Sequence, residues 1–497
     1  MAKFYITTAI PYVNAKPHIG HALEYFQADT IRRYREILGD NTLLLSGADE
    51  NALKNVQAAE KEGVQIQQFL DRNSEVFRKT YERLGIKLDV FQRGSDQKNH
   101  WPGVKKLWNL CDKAGDIYKK SYAGLYCVGC ESFKTKKELV NGLCPEHQKK
   151  PEKVTEENYF FRLFKYQDKL LQLIESNELK ITPDNKRAEI VSFVKGGLED
   201  FSVSRSKERA KGVGVPVPND PDQIIYVWFD ALAVYLTGIG FGSAEQNDIE
   251  KYNKWWPADL HVIGKDINRF HTVYWPTMLL SAGLPLPKEV LVHSFVNSSG
   301  QKMSKSLGNV IDPFEMIDKY GLESVRYYLL SQIPIDSDGD FSEKRFKEVY
   351  NADLANGLGN LVARVAKLTE KSNYKQIQSL SKESGHLISD EEYSDVLSLF
   401  KFNEALSFVW EKITELDRFI NDERPWELIK SSKLNPFGKL RTRVQSSKLN
   451  GILGHAVDQI QEIAVLLEPF LPETAKKIEN QFKGPKITSQ KPLFPRI

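Results

Sequence analysis

The chain has 497 residues, of which 41% are hydrophobic and 27% charged, with a formal net charge of +3. The length implies about three or four domains, and the balance excludes a disordered, fibrous or membrane-spanning protein. So small a net charge means that a nucleic-acid partner has to be met by local basic patches.

The amino terminus enters a strand-like run directly, so no secretory signal is expected. Four cysteines, three of them clustered, fit a reducing, cytoplasmic setting. Phe4 to Ile10 is apolar and β-branched, the composition of a buried strand. Pro11-Tyr12-Val13-Asn14 breaks it, and Pro17 pre-sets a helical turn. Ile19, Leu23, Phe26, Ile31, Tyr34 and Leu38 then recur at helical spacing. His18-Ile19-Gly20-His21 therefore sits on a strand-to-helix turn, where free N–H groups and the helix dipole favour a phosphate. His18 and His21 add donors that can follow charge developing on phosphorus, and Gly20 leaves room for a base or ribose against the backbone. Two histidines that merely cap or decorate a helix are the alternative.

Residues 1–115 alternate strand-like and helix-like stretches, and the pattern resumes over 215–342, as in a doubly wound parallel sheet. The interruption at 116–214 has its own chemistry. Cys127-x-x-Cys130 and Cys144-x-x-His147 are two knuckles with thirteen residues between them. Two-residue spacing lets each pair grip one ion, so the four read as a structural zinc site, with an unliganded loop as the alternative. Cys111 falls in an amphipathic pattern and reads as core. Further on, Ser294 to Gln301 reads as a polar loop leading into Lys302-Met303-Ser304-Lys305-Ser306. Two ammonium groups three residues apart on a mobile loop suit a pyrophosphate that needs neutralising during reaction. Asp340-Phe341-Ser342 closes this half, and residues 343–497 read as helices. Lys430 to Lys448 carries six Lys or Arg and no acid: a solvated loop, or a phosphate contact.

These strings resemble the methionyl-tRNA synthetases, a family of class I aminoacyl-tRNA synthetases. The likeness runs from Phe4 to about Pro469. It is carried by Thr7 to Asn14 ahead of the His18 string, Tyr226-Val227-Trp228-Phe229-Asp230-Ala231, Ile263-Gly264-Lys265-Asp266-Ile267, and Asn421 with Pro425-Trp426. The resemblance implies a Rossmann-like catalytic domain split by a zinc-knuckle insertion and followed by an all-α anticodon-binding bundle. It implies that L-methionine and ATP give methionyl-adenylate and pyrophosphate, and that the methionyl group then passes to the 3′ end of tRNA(Met). Asp49 would hold the substrate ammonium, with Tyr12, Trp228, Tyr235, Ile267 and His271 walling the pocket and Ala9, Ile10, Pro11 and Ala231 lining it. Rings around a thioether make physical sense, because sulfur packs well against aromatic faces.

In the same reading His18, His21, Lys302 and Lys305 are catalytic. Gly20, Gly264, Asp266, Val292, His293, Met303 and Ser304 complete the ATP site. Mg2+ is expected with ATP, although no motif marks its ligands. Asn360, Arg364, Asn421, Pro425 and Trp426 would read the anticodon. No room remains for a β-barrel tRNA-binding module or a hydrolytic editing insertion, so a monomer that misactivates some close analogues is expected. One departure stands out: Asn51-Ala52 follows Glu50 where the family has His-Gly. Asn cannot titrate near neutrality, and Ala disfavours a positive φ. The alternatives are another class I synthetase such as a cysteinyl enzyme, whose zinc ligands would lie in the amino acid pocket, a small nucleotidyltransferase, which would need neither the Lys302 string nor a helical bundle, or a non-catalytic tRNA-binding relative.

Overall fold

The computed structural model describes residues 2–129, 132–134, 136–145, 148–298, 300–303, 308–372, 374, 390–434 and 439–497, without the side chains of Ser132, Lys137, Lys302, 432–434 and 439–444. Two compact units emerge: Met1–Ala28 with Gly39–His293, and Asp29–Leu38 with Ser294–Ile497.

The first unit is built on six strands: β1 Lys3–Thr8, β2 Asn41–Ala48, β3 Val90–Arg93, β4 Lys180–Thr182, β5 Leu260–Gly264 and β6 Glu289–His293. They lie in the order β3-β2-β1-β5-β6-β4, with every neighbouring pair parallel. Leu43, Leu44 and Leu45, and Val290, Leu291 and Val292, are buried. Such uninterrupted apolar runs suit parallel strands covered on both faces. The order reverses direction between β1 and β5, and ligands of open α/β sheets bind at the carboxyl edge of such a switch point. Strand β1 stops at Thr8, two residues short of the apolar run; the Ala9 N–H still meets the Val262 carbonyl and also the Glu24 carboxylate.

The edge strand β4 comes from within 116–214, so that region supplies part of the parallel sheet as well as a separate antiparallel one. In the latter, Ile117–Cys127 pairs with Ser132–Lys134 and Glu152–Phe161, and the last also pairs with Phe201–Ser202. Tyr5, Leu45, Trp108, Phe161, Tyr235 and Trp275 belong to one buried cluster. Cys111 is fully buried in the helix Trp101–Lys113, as its pattern requires.

The helix α1, Ile19–Ile37, begins in the first unit and ends in the second. Val296–Ser298 and Gln301–Lys302 are strands where their polarity implies a loop. Val296–Ser298 pairs antiparallel with Gln301–Lys302 and parallel with Gly339–Phe341. Gly300 makes the turn at φ +76° and donates to Asp340 Oδ1 at 2.7 Å. Ser342 then caps Glu343–Val349 by accepting from the Arg345 N–H. Helices follow at Asn360–Ser372, Glu391–Ser398, Phe402–Glu423, Pro425–Leu434, Lys439–Leu467 and Pro472–Phe482. Arg326, 2% exposed, donates to Asp29, to the Thr30 hydroxyl and to the carbonyls of Pro469 and Phe470. Burial pushes the Asp29 pKa up, but Arg326, Arg33 and Arg32 outweigh it and hold the carboxyl at about 2.

Candidate active site

The carboxyl edge of the first unit gathers most of the residues singled out in the sequence. His18 accepts the N–H of His21 on its backbone carbonyl at 2.9 Å and so opens α1. Its ring folds back: Nδ1 accepts from the Gly20 N–H at 3.1 Å, while His21 Nδ1 accepts from the His18 N–H at 3.1 Å. The rings stand 3.9 Å apart, centroid to centroid. Both Nδ1 atoms are acceptors, so each neutral ring carries its proton on Nε2, where it can be offered to an anion. Burial, with His18 beside it, holds the pKa of His21 well below the usual imidazole range. Gly20 is glycine for a local reason: a Cβ there would come 3.0 Å from His18 Cε1.

Three residues beyond His21, Glu24 faces the same way on α1. Its carboxylate accepts from the Ala9 N–H at 2.9 Å and lies 3.0 Å from His293 Nε2. Burial raises the pKa of Glu24 despite the histidine. Glu24 was legible only as a helical i, i+3 neighbour of His21. Gly264 ends β5 beneath this pair, its missing Cβ 3.0 Å from Asp266 Oδ1 and 3.7 Å from the His293 ring. Val292 is buried within β6, whereas Asp266 is exposed.

Around the switch point the aromatic residues converge. Tyr12 and Asp49 form a parallel bridge, and the Asp49 N–H donates to the Pro11 carbonyl at 2.9 Å, which fixes a carboxylate only 4% exposed. Tyr12 meets Trp228 edge to face at 6.3 Å, and Trp228 stacks on Phe270 at 3.7 Å and 6°. Phe270 escaped the sequence reading, which had no motif to mark it. The Tyr235 hydroxyl lies 2.7 Å from His271 Nε2, and His271 Nδ1 lies 3.1 Å from the Ile267 carbonyl. A carbonyl can only accept, so Nδ1 carries the proton and Nε2 accepts from Tyr235. Burial lowers the His271 pKa to about 4. Ala9, Ile10 and Ile267 pack half-buried against this cluster, and Ala231 is buried.

The Asn51-Ala52 departure has a structural account. Asn51 Nδ2 donates to the Gly94 carbonyl at 2.8 Å and to Asp230 Oδ2 at 2.6 Å. The other carboxylate oxygen of Asp230 lies 2.7 Å from His100 Nε2, whose Nδ1 meets Thr237 at 2.7 Å. Ala52 has φ −85° and ψ 140°, so no positive φ is needed there. Glu50 is fully buried and ligated by Arg93, Ser74 and Ser95. It supports the loop and does not face a ligand.

Of the proposed zinc ligands, Cys127 and Cys144 are buried, and Cys130 and His147 lie outside the described residues. In the second unit, Met303 is half-buried after the hairpin, while Ser304, Lys305 and the Lys302 side chain lie outside the described set. Also in this unit, Arg364 donates to Asp417 at 2.9 Å and Asn421 at 2.6 Å, with its guanidinium 5.1 Å from the Trp426 ring. Asn360 is exposed one helical turn away, and Pro425 is buried. Asp417, which no motif marks, accepts from both Arg364 and Asn421. Most of the basic stretch from Lys430 to Lys448 falls on undescribed side chains, but Lys448 pairs with Glu423 at 3.0 Å. No helix among the described residues is long and apolar enough to cross a membrane.

The whole chain is similar to known proteins. The family model described as tRNA synthetases class I (M) matches residues 4–153 and 147–366. The methionine–tRNA ligase of Thermotoga maritima is 39% identical over 96% of this chain and 74% of its own length. That of Mycobacterium leprae is 40% identical over 96% and 89%. The structure of Mycobacterium tuberculosis methionyl-tRNA synthetase in complex with methionyl-adenylate superimposes with a TM-score of 0.90, at 36% identity over the whole of both chains. The chain belongs to the class I methionyl-tRNA synthetase family.

Proposed function

We propose that this chain is a methionine–tRNA ligase that works through the residues converging on the switch point. The observation that carries the reading is the full-length likeness, at a TM-score of 0.90, to a synthetase solved with methionyl-adenylate. A methionine carboxylate oxygen attacks the α-phosphorus of ATP, the bond to the β-phosphate breaks, and pyrophosphate leaves. The Nε2–H groups of His18 and His21 stabilise charge on the phosphoryl oxygens, and Lys302 and Lys305 neutralise the departing phosphates. Gly20, Gly264, Asp266, Val292, His293, Met303 and Ser304 hold the nucleotide. Mg2+ supplies charge neutralisation on the phosphates when bound.

Asp49 anchors the substrate ammonium, while Ala9, Ile10, Pro11, Tyr12, Trp228, Ala231, Tyr235, Ile267 and His271 form the side-chain pocket. The Tyr235–His271–Ile267 chain of hydrogen bonds supports a neutral imidazole there, suited to an uncharged thioether. A ribose hydroxyl of the terminal adenosine of tRNA(Met) then attacks the adenylate carbonyl, and AMP leaves. Asn360, Arg364, Asn421, Pro425 and Trp426 read the anticodon within the helical domain 343–497, Trp426 by stacking on a base. Domain 116–214 carries one structural zinc on Cys127, Cys130, Cys144 and His147. Thiolate and imidazole donors suit that ion, and the burial of Cys127 and Cys144 supports it. Residues 1–115 and 215–342 form the catalytic domain of a monomeric, cytoplasmic enzyme.

Methionine-dependent ATP–pyrophosphate exchange, run beside leucine, cysteine and an amino-acid-free blank, tests this reading. Exchange with methionine alone is expected. Its absence from folded, zinc-replete protein would overturn the enzymatic assignment.

A further inference from the structure

Lys54 stands in the first turn of the helix Leu53–Glu62, directly after the Asp49 loop. Its Nζ lies 3.4 Å from the centroid of the Tyr12 ring and donates to the Gly129 carbonyl at 3.2 Å. Gly129 belongs to the turn between Cys127 and Cys130. Tyr12 in turn sets its ring against Trp228, whose buried indole N–H has no hydrogen-bond partner among the described residues. One half-buried ammonium thus bridges the wall of the amino acid pocket and the Cys127 turn of the inserted region.

We propose that Lys54 is a positioning residue for methionine: its ammonium, seated on the Gly129 carbonyl, holds the Tyr12 ring against Trp228. The inference rests on the assignment of Tyr12 to the methionine pocket. A cation over a ring face is attracted by the negative face of the quadrupole, more strongly where water is partly excluded. The carbonyl adds a directional anchor at the other end. Without the ammonium, the Tyr12 ring loses the attraction on its face, and a substrate must spend more binding energy on ordering it.

The test measures methionine binding without ATP, by the change in tryptophan fluorescence, together with pyrophosphate exchange. The variants are K54M, which keeps the stem, K54R, which keeps the cation, and Y12A. K54M is expected to raise the Kd and KM for methionine about threefold to thirtyfold. The KM for ATP and kcat should stay within about twofold, as loss of uniform binding dictates. K54R should recover most of the affinity, and all three variants should unfold thermally like the parent. If Y12A weakens binding while K54M binds methionine like the parent, the role of Lys54 is overturned and the pocket stands. Equal weakening in K54R and K54M overturns the cationic mechanism. If Y12A changes nothing, the pocket assignment fails and the inference with it. Should K54M not fold, K54Q and K54R carry the same comparison.

Discussion

Replacing Asn51 with Ala strips two acceptors of a donor at once. The Asp230 carboxylate is 2% exposed and loses its 2.6 Å partner, and the Gly94 carbonyl loses one at 2.8 Å. A hydrogen bond to a buried charged group contributes about 1.5–3 kcal/mol and a neutral one about 0.5–1.5 kcal/mol. N51A should therefore destabilise the protein by about 2–4 kcal/mol. The two residues are 179 positions apart in the chain, so the loss falls on contacts that join the Asp49 loop to the helix carrying Trp228 and Ala231. Urea unfolding of parent, N51A, D230N and the double variant, followed by near-ultraviolet circular dichroism, isolates the pair. The expected coupling is about 1.5 kcal/mol or more, at an unchanged m-value. A coupling under about 0.5 kcal/mol would mean that water or His100 satisfies Asp230 without Asn51, and the argument would fail.

Four further outcomes are expected. H18N should lower the rate of pyrophosphate exchange about 10²–10³-fold while leaving the methionine Kd nearly unchanged, because its Nε2–H acts on developing charge. His271 titrates near 4 in the folded state against about 6.5 unfolded, so the unfolded chain takes up its proton first. Its contribution, about 3 kcal/mol, is fully present above pH 6.5 and lost as pH falls to 4, and the H271Q variant should lack that component in stability–pH curves. R326M should cost about 2–4 kcal/mol, since Asp29 keeps Arg32 and Arg33 but loses a third guanidinium, and the buried carbonyls of Pro469 and Phe470 lose a donor; an equilibrium unfolding shift below about 1 kcal/mol would contradict this. W426A should weaken aminoacylation of tRNA(Met) by about 1–3 kcal/mol in kcat/KM while pyrophosphate exchange is unaffected.

Much of this molecule was legible in the one-dimensional string because the relevant physics is local. Apolar β-branched residues, a proline and a 3.6-residue period mark β1 and α1. The strand at Lys180–Thr182 escaped notice because three residues carry no periodicity, and only pairing with β6 makes them a sheet edge. The hairpin at 296–302 likewise looked like a loop, since its polar side chains hide a backbone that pairs.

The supports of the site were decided by the tertiary structure. Glu24 pairs with His293 across 269 residues and Asn51 with Asp230 across 179. Neither partner differs in composition from a surface residue of the same type. Which acceptor a buried amide or carboxylate finds depends on where distant elements come to rest, and that is set by the packing of the whole sheet rather than by any window of sequence.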